Sequence, residues 1–158
     1  MVVQVSPLIH IEVVVRDAEE AAACLKRVFG AEKTQLEFAQ FLTSPVAKVV
    51  HVDLGGTVIQ FIEPLIDQGL WAEHLRAKGP GVHNLTFLVN DVNEAARALE
   101  KEGAPVLLEM RFDWSQLMPD RARPDPSPVL MVGSEEKLGF RLELSESPVK
   151  GEELPTPP

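Results

Sequence analysis

The sequence predicts an α+β fold of two βαβββ modules, whose antiparallel-rich mixed sheets form a cleft. Three observations predict it: a gapless internal repeat, matching helix-start signals in both copies, and room for two further strands between each helix and a similar last strand. Residues 9–25 read IHIEVVVRDAEEAAACL, and residues 83–99 read HNLTFLVNDVNEAARAL. Aligned directly, Val15 meets Val89, Asp17 meets Asp91, Glu20 meets Glu94, Ala21 meets Ala95, Ala22 meets Ala96 and Leu25 meets Leu99.

Each copy therefore runs from a strand through an Asp into a helix. Asp17 and Asp91 suit the N-cap, where a carboxylate accepts from the open backbone N–H groups of the first turn. Glu20 and Glu94 follow three residues later, as in a capping box. Gly30 and Gly103 mark the helix ends. Strands are expected at about 32–39 and 46–54 in the first copy, and at about 105–112 and 128–132 in the second. Gly55-Gly56 signals a tight hairpin. The last strands, VIQFIEP at 58–64 and RLELSES at 141–147, align Gln60 with Glu143 and Glu63 with Glu146.

The resulting boundaries are 1–64 for the first module, 65–81 for a linking helix around Trp71, His74 and Leu75, 82–146 for the second module, and 147–158 for a flexible tail. The stretch 113–127 holds three prolines, with Pro128 just beyond, and reads as a long loop.

At 158 residues, with 45% apolar and 25% charged side chains, the chain has globular composition. A formal charge of −9 excludes the basic footprint of a nucleic-acid binder. The single cysteine, Cys24, reads as a small buried helix residue and excludes a disulfide framework, so a cytoplasmic setting is expected. No signal peptide or membrane span is seen.

A strand alternates faces. On the first strand Ile9, Ile11, Val13 and Val15 share an apolar face, and His10, Glu12 and Val14 share the other. On the repeat strand Leu85, Phe87 and Val89 oppose Asn84, Thr86 and Leu88. The apolar face is expected to pack on each copy's helix. The second face collects His10, Glu12, Gln60, Asn84, Thr86, Arg141 and Glu143. Its bland reading is solvent exposure. Its mixture with Val14, Ile62 and Leu88 is also what a ligand cavity looks like. His51 and His74 read as surface or packing residues.

The segments LIHIEVVVRDAEEA, LGGTVIQFIEPL, WAEHLRAKGPGVHNLTFLVNDVNEA and FRLELSE occur in an order that resembles the vicinal-oxygen-chelate superfamily of glyoxalases, epimerases, extradiol dioxygenases and bleomycin-resistance proteins. The resemblance spans about residues 8–146, and the layout is nearest to the methylmalonyl-CoA epimerase-like group. It implies a divalent metal held by His10, Gln60, Asn84 and Glu143. The family usually has a histidine where Asn84 stands. His83 lies one residue earlier, on the opposite face by alternation, and enters the set only if the strand is slipped or bulged.

The resemblance also implies catalytic carboxylates. Glu143 is a candidate for one of them, but the third strand, around Lys48 to Asp53, offers no matching glutamate. Glu12 is a candidate on its own account, since it shares the face of His10 and is a general base if the cavity raises its pKa by desolvation. Arg141 is placed to pair with Glu143 or to hold a substrate carboxylate. Thr86 and Trp114 are candidate substrate contacts, Trp114 from a loop able to act as a lid. Two functions follow. One is a metal-dependent lyase, isomerase or dioxygenase that polarises adjacent substrate oxygens. The other is a metal-free protein of the bleomycin-resistance kind that sequesters a ligand. A small-molecule partner and a homodimer are expected in either case.

Overall fold

The computed structural model describes residues 3–34, 45–115, 118–152 and 154. In chain order the elements are β1 (His10–Val14), α1 (Ala18–Phe29), β2 (Glu32–Lys33), β3 (Ala47–Leu54), β4 (Thr57–Pro64), α2 (Leu70–Lys78), β5 (Gly81–Leu88), α3 (Val92–Lys101), β6 (Val106–Phe112), β7 (Ser127–Val132), α4 (Glu135–Leu138) and β8 (Leu142–Ser145). The chain divides into two compact units. One is His10–Asn84; the other combines the residues up to Ile9 with Leu85–Pro158. The expected α+β class and mixed strand pairing are both present. Among the described residues no helix is long and apolar enough to cross a membrane.

In the His10–Asn84 unit the strand order is β2-β3-β4-β1. β2–β3 and β3–β4 are antiparallel, while β1 and β4 are parallel. The β3–β4 register follows from a two-residue turn. Gly55 and Gly56 take φ of 65° and 87°, which side chains disfavour, and Asp53 Oδ1 accepts from the Gly56 N–H at 2.9 Å. The apolar face packs on α1 as the alternation predicts. Ala18, Ala22, Ala31, Val50, Val52 and Phe61 form a buried cluster, flanked by Val13, Leu25 and Ile59. α2 packs on β1 and β4. Of the strand expected at 32–39, residues 32–33 form β2, and 35–39 lie outside the described residues. Cys24, expected to be buried, is exposed on α1.

The other unit repeats this plan, with order β5-β8-β7-β6 and one parallel pair, β5 with β8. Its core gathers Val89, Val92, Ala95, Ala104, Leu130, Val132 and Leu144 against α3. The parallel pairs match residue for residue with the repeat: Glu12 lies beside Gln60, and Thr86 beside Glu143. Three features differ from the expected boundaries. The N-terminal residues belong with β5, because the Ser6 and Ile9 N–H groups donate to the Leu88 and Thr86 carbonyls at 2.9 Å each. A short helix, α4, precedes β8. The stretch after β8, expected to be loose, is paired through residue 150: Val149 bridges Ala122, and the Lys150 N–H donates to the Arg121 carbonyl at 2.8 Å.

The repeat also explains a match that alternation alone leaves without a reason. Glu63 Oε2 accepts from the Ala18 N–H at 3.0 Å, and Glu146 Oε1 accepts from the Val92 N–H at 3.1 Å. Each unit's last strand thus caps that unit's own helix. The N-cap aspartates work as predicted, Asp17 on the Glu20 N–H at 2.9 Å and Asp91 on the Glu94 N–H at 2.8 Å. Two carboxylates per helix start satisfy donors that would otherwise be orphaned, and they oppose the positive end of the helix dipole. Glu63→Ala is expected to lower unfolding free energy by about 1 kcal/mol. Glu146→Ala should cost more, because Glu146 also pairs with Arg123. Urea midpoints at constant m-value check both.

Candidate functional site

The face of β1, β3 and β4 turned away from α1 is buried and polar. β1 contributes His10 and Glu12, β4 contributes Gln60, and β3 contributes His51. Solvent is therefore not what this face meets, contrary to the bland reading of the strand pattern. Two hydrogen-bonded groups occupy it.

The first joins His51 to Gln60, which the β3–β4 register sets directly opposite each other. Gln60 Nε2–H donates to His51 Nε2 at 2.7 Å. The amide nitrogen can only donate, so this His51 nitrogen carries the lone pair. The His10 ring meets His51 edge-on, with centroids 6.1 Å apart. Burial pushes His10 down from 6.5 to about 3, with the His51 charge as a second cause. Burial likewise pushes His51 down to about 4. Both rings are neutral bases near neutrality. His51 carried no functional signal by residue type. The two-residue turn supplied one, because pairing Leu54 with Thr57 forces His51 onto Gln60.

The second group centres on Glu12, which is 2% exposed. Its Oε1 accepts from Trp71 Nε1–H at 2.7 Å, from His83 Nδ1–H at 2.8 Å and from Asn84 Nδ2–H at 2.8 Å. The donors come from α2 and β5. A buried carboxylate needs such donors to replace its lost hydration, and Glu12 has three of them on one oxygen. His83 and Asn84, which alternation would send to opposite faces, both reach this oxygen and are both buried. The His74 ring stands edge-on to His83 with centroids 5.2 Å apart. The linking helix thus supplies a site residue, Trp71, that its modest amphipathic pattern did not single out.

The remaining candidates lie in the other unit. Thr86 Oγ1–H donates to Glu143 Oε1 over a long 3.3 Å, and Glu143 is half-buried. Arg141 binds Glu135 of α4, its Nη2 at 2.5 Å and its Nε at 2.8 Å. Trp114 is buried beside Phe112, with ring centroids 5.7 Å apart.

The residues expected to hold a divalent metal do not fit one. Among the described residues no three His, Cys, Asp or Glu side chains are grouped to do so. Gln60 and Asn84 turn amide N–H groups toward His51 and Glu12. Their amide oxygens are weak donors for late transition metals. His10 is the single imidazole among the four expected ligands.

The two lowered histidines set an acid limit. Unfolded, each titrates near 6.5; folded, near 3 and 4. Below pH 6.5 the unfolded chain therefore binds protons that the folded chain refuses, and stability is lost as pH falls from 6.5 toward 4. Thermal midpoints should drop across that window. His51→Gln should flatten the slope, and an unchanged slope would count against the assignment.

Residues 9–113 match the family model described as the Glyoxalase/Bleomycin resistance protein/Dioxygenase superfamily. The chain is 32% identical over 94 residues to the mitochondrial methylmalonyl-CoA epimerase of Homo sapiens, covering 59% of this chain and 52% of that protein. It is 32% identical over 101 residues to the Bos taurus enzyme, covering 63% and 56% respectively. It thus spans about half the length of these curated relatives. A solved methylmalonyl-CoA epimerase in complex with methylmalonyl-CoA and NH4+ superposes with a TM-score of 0.64 at 19% identity, covering 96% of this chain and all of that one. At that identity the likeness is one of fold. The repeat, the paired units and the family match agree, and the chain belongs to the glyoxalase/bleomycin resistance protein/dioxygenase superfamily.

Proposed function

We propose that the protein is a small-molecule isomerase that moves a proton at a carbon next to a carbonyl, on a coenzyme A thioester of the methylmalonyl type. Similarity to the two mammalian epimerases supports the substrate class. The observation that carries the reaction type is the contrast between two carboxylates. Glu12 is buried, and three N–H donors already occupy its Oε1. Glu143 is half-buried, with the Thr86 hydroxyl beside it, and remains reachable by a substrate.

In this reading Glu143 takes the proton from the carbon next to the thioester carbonyl. The electron pair moves onto the carbonyl oxygen as an enolate, which hydrogen-bond donors stabilise. A water molecule returns a proton to the opposite face to give the epimer, and Glu143 releases the proton it took to solvent. Thr86 orients Glu143. The metal-assisted version that the resemblance implies is not carried into the proposal, since the donor set does not fit a divalent ion.

A second reading, ligand sequestration without chemistry, is favoured by one observation. β3 carries no glutamate to serve as the second carboxylate that epimerase relatives use. Proton NMR of methylmalonyl-CoA with the protein in D2O separates the two. Isomerase action should exchange the α-proton, and Glu143→Gln should slow that exchange by roughly 10²–10⁴-fold. Binding of the thioester with no exchange above the uncatalysed rate would discard the isomerase and leave sequestration.

A further inference from the structure

We infer that the protein forms a homodimer by pairing β6 with β6 of a second copy, antiparallel about a twofold axis at Met110. The inference rests on the unit that contains Leu85–Pro158 and does not depend on the isomerase reading. β6 ends the strand order β5-β8-β7-β6, so among the described residues no strand pairs with its outer edge. An open edge presents a row of backbone donors and acceptors that another strand can take up. Leu108 is 39% exposed on it. The ladder with β7 is irregular between Val106 and Leu108, and Leu107 is folded over Gly133, where a Cβ would meet it at 3.1 Å. The regular part of the edge is therefore Leu108–Phe112.

That stretch is complementary to itself. Leu108, Met110 and Phe112 share one face, opposite Met131, Val129 and Ser127 of β7. Glu109 and Arg111 share the other, opposite Leu130 and Pro128, and both are exposed. Within one chain their side chains meet at 2.7 Å. A twofold axis at Met110 sets Glu109 against Arg111 of the second copy, and Arg111 against its Glu109. Both cross-strand pairs then join opposite charges. On the other face Leu108 meets Phe112, and Met110 meets its own counterpart. Charge selects this register over its neighbours. With the axis at Glu109, two carboxylates face each other; with the axis at Arg111, two guanidiniums do. A slip by one residue sets charged side chains against apolar ones. Edge charges of one sign repel a second copy in every register, whereas this pair of opposite signs admits one.

Sedimentation equilibrium of the full chain should show a reversible monomer–dimer equilibrium in the micromolar range. Glu109→Arg and Arg111→Glu should each weaken dimerisation by about tenfold or more, because both cross-strand pairs become like-charged. Mixing these two variants should restore association as a heterodimer, since every pair is then opposite in sign. The double exchange, Glu109→Arg with Arg111→Glu, should dimerise like the native chain. Cys24 is exposed, so cross-linking is read in a Cys24→Ser background. There Met110→Cys should give a covalent dimer on mild oxidation, whereas Phe112→Cys, set against Leu108, should not. A native chain that stays monomeric at high micromolar concentration would overturn the inference. So would a dimer that the single reversals leave intact, or a mixture of them that stays monomeric. If a reversal variant fails to fold, the two cross-linking variants decide.

Discussion

A carboxylate taken out of water loses a hydration shell worth many kcal/mol, and the protein must replace it with donors or leave the group neutral. Glu12 is the point where this constraint acts on the fold. It sits on β1, and its three donors come from α2 and from the start of β5. Both segments lie 59 to 72 residues from Glu12 in sequence. Their only common requirement is to bring an N–H to one oxygen. α2 is short, it has no side-chain cap at its N-terminus, and a single one of its residues is fully buried. Its Trp71 contact with Glu12 gives it an anchor that its own composition does not. The mixed face of the unit, with Val14 and Ile62 beside it, is thus organised around one buried carboxylate.

The same demand for satisfied backbone donors is met twice in parallel at the helix starts. Asp17 with Glu63, and Asp91 with Glu146, treat the first turns of α1 and α3 identically. The second carboxylate of each pair comes from the last strand of its unit, so it ties the helix to the sheet as well as capping it. This device gives a structural role to an otherwise puzzling part of the repeat, the glutamate near the end of each last strand. The capping box anticipated at Glu20 is only half formed. The Glu20 carboxylate reaches Arg27 along the helix surface, at 2.6 Å, while Asp17 and Glu63 serve the backbone.

Much of the fold was legible in the sequence because it rests on local rules. Alternation separated Val13, Ile59 and Phe61 from His10, Glu12 and Gln60, and the aspartates and glycines bracketed the helices. The site was legible in part. His10, Gln60 and Asn84 stood on the right face, yet their partners were hidden. Trp71 and His83 reach Glu12 through tertiary contacts between β1, α2 and β5, and no periodicity encodes such contacts. His83 was assigned to the far face by strict alternation, yet its Nδ1 and the Asn84 amide reach the same oxygen. The N-terminal residues were grouped with the wrong module for a related reason: their pairing with β5 joins positions some eighty residues apart. Arg141 was offered Glu143 as a partner two places along its strand, while α4, which supplies Glu135, was not anticipated at all.

The turn at Gly55-Gly56 lies at the surface, the kind of place where lineages usually tolerate gained or lost residues. Here length is constrained by parity. Adding one residue while keeping a two-residue turn would slide β3 a single step along β4 and exchange its two faces, sending Val50 and Val52 away from α1 and driving His51 into the apolar layer. Adding two would keep every residue on its own face and merely displace His51 from Gln60. Drift at this loop is therefore expected in even steps, and the histidine–glutamine pair is the part of the site most exposed to it.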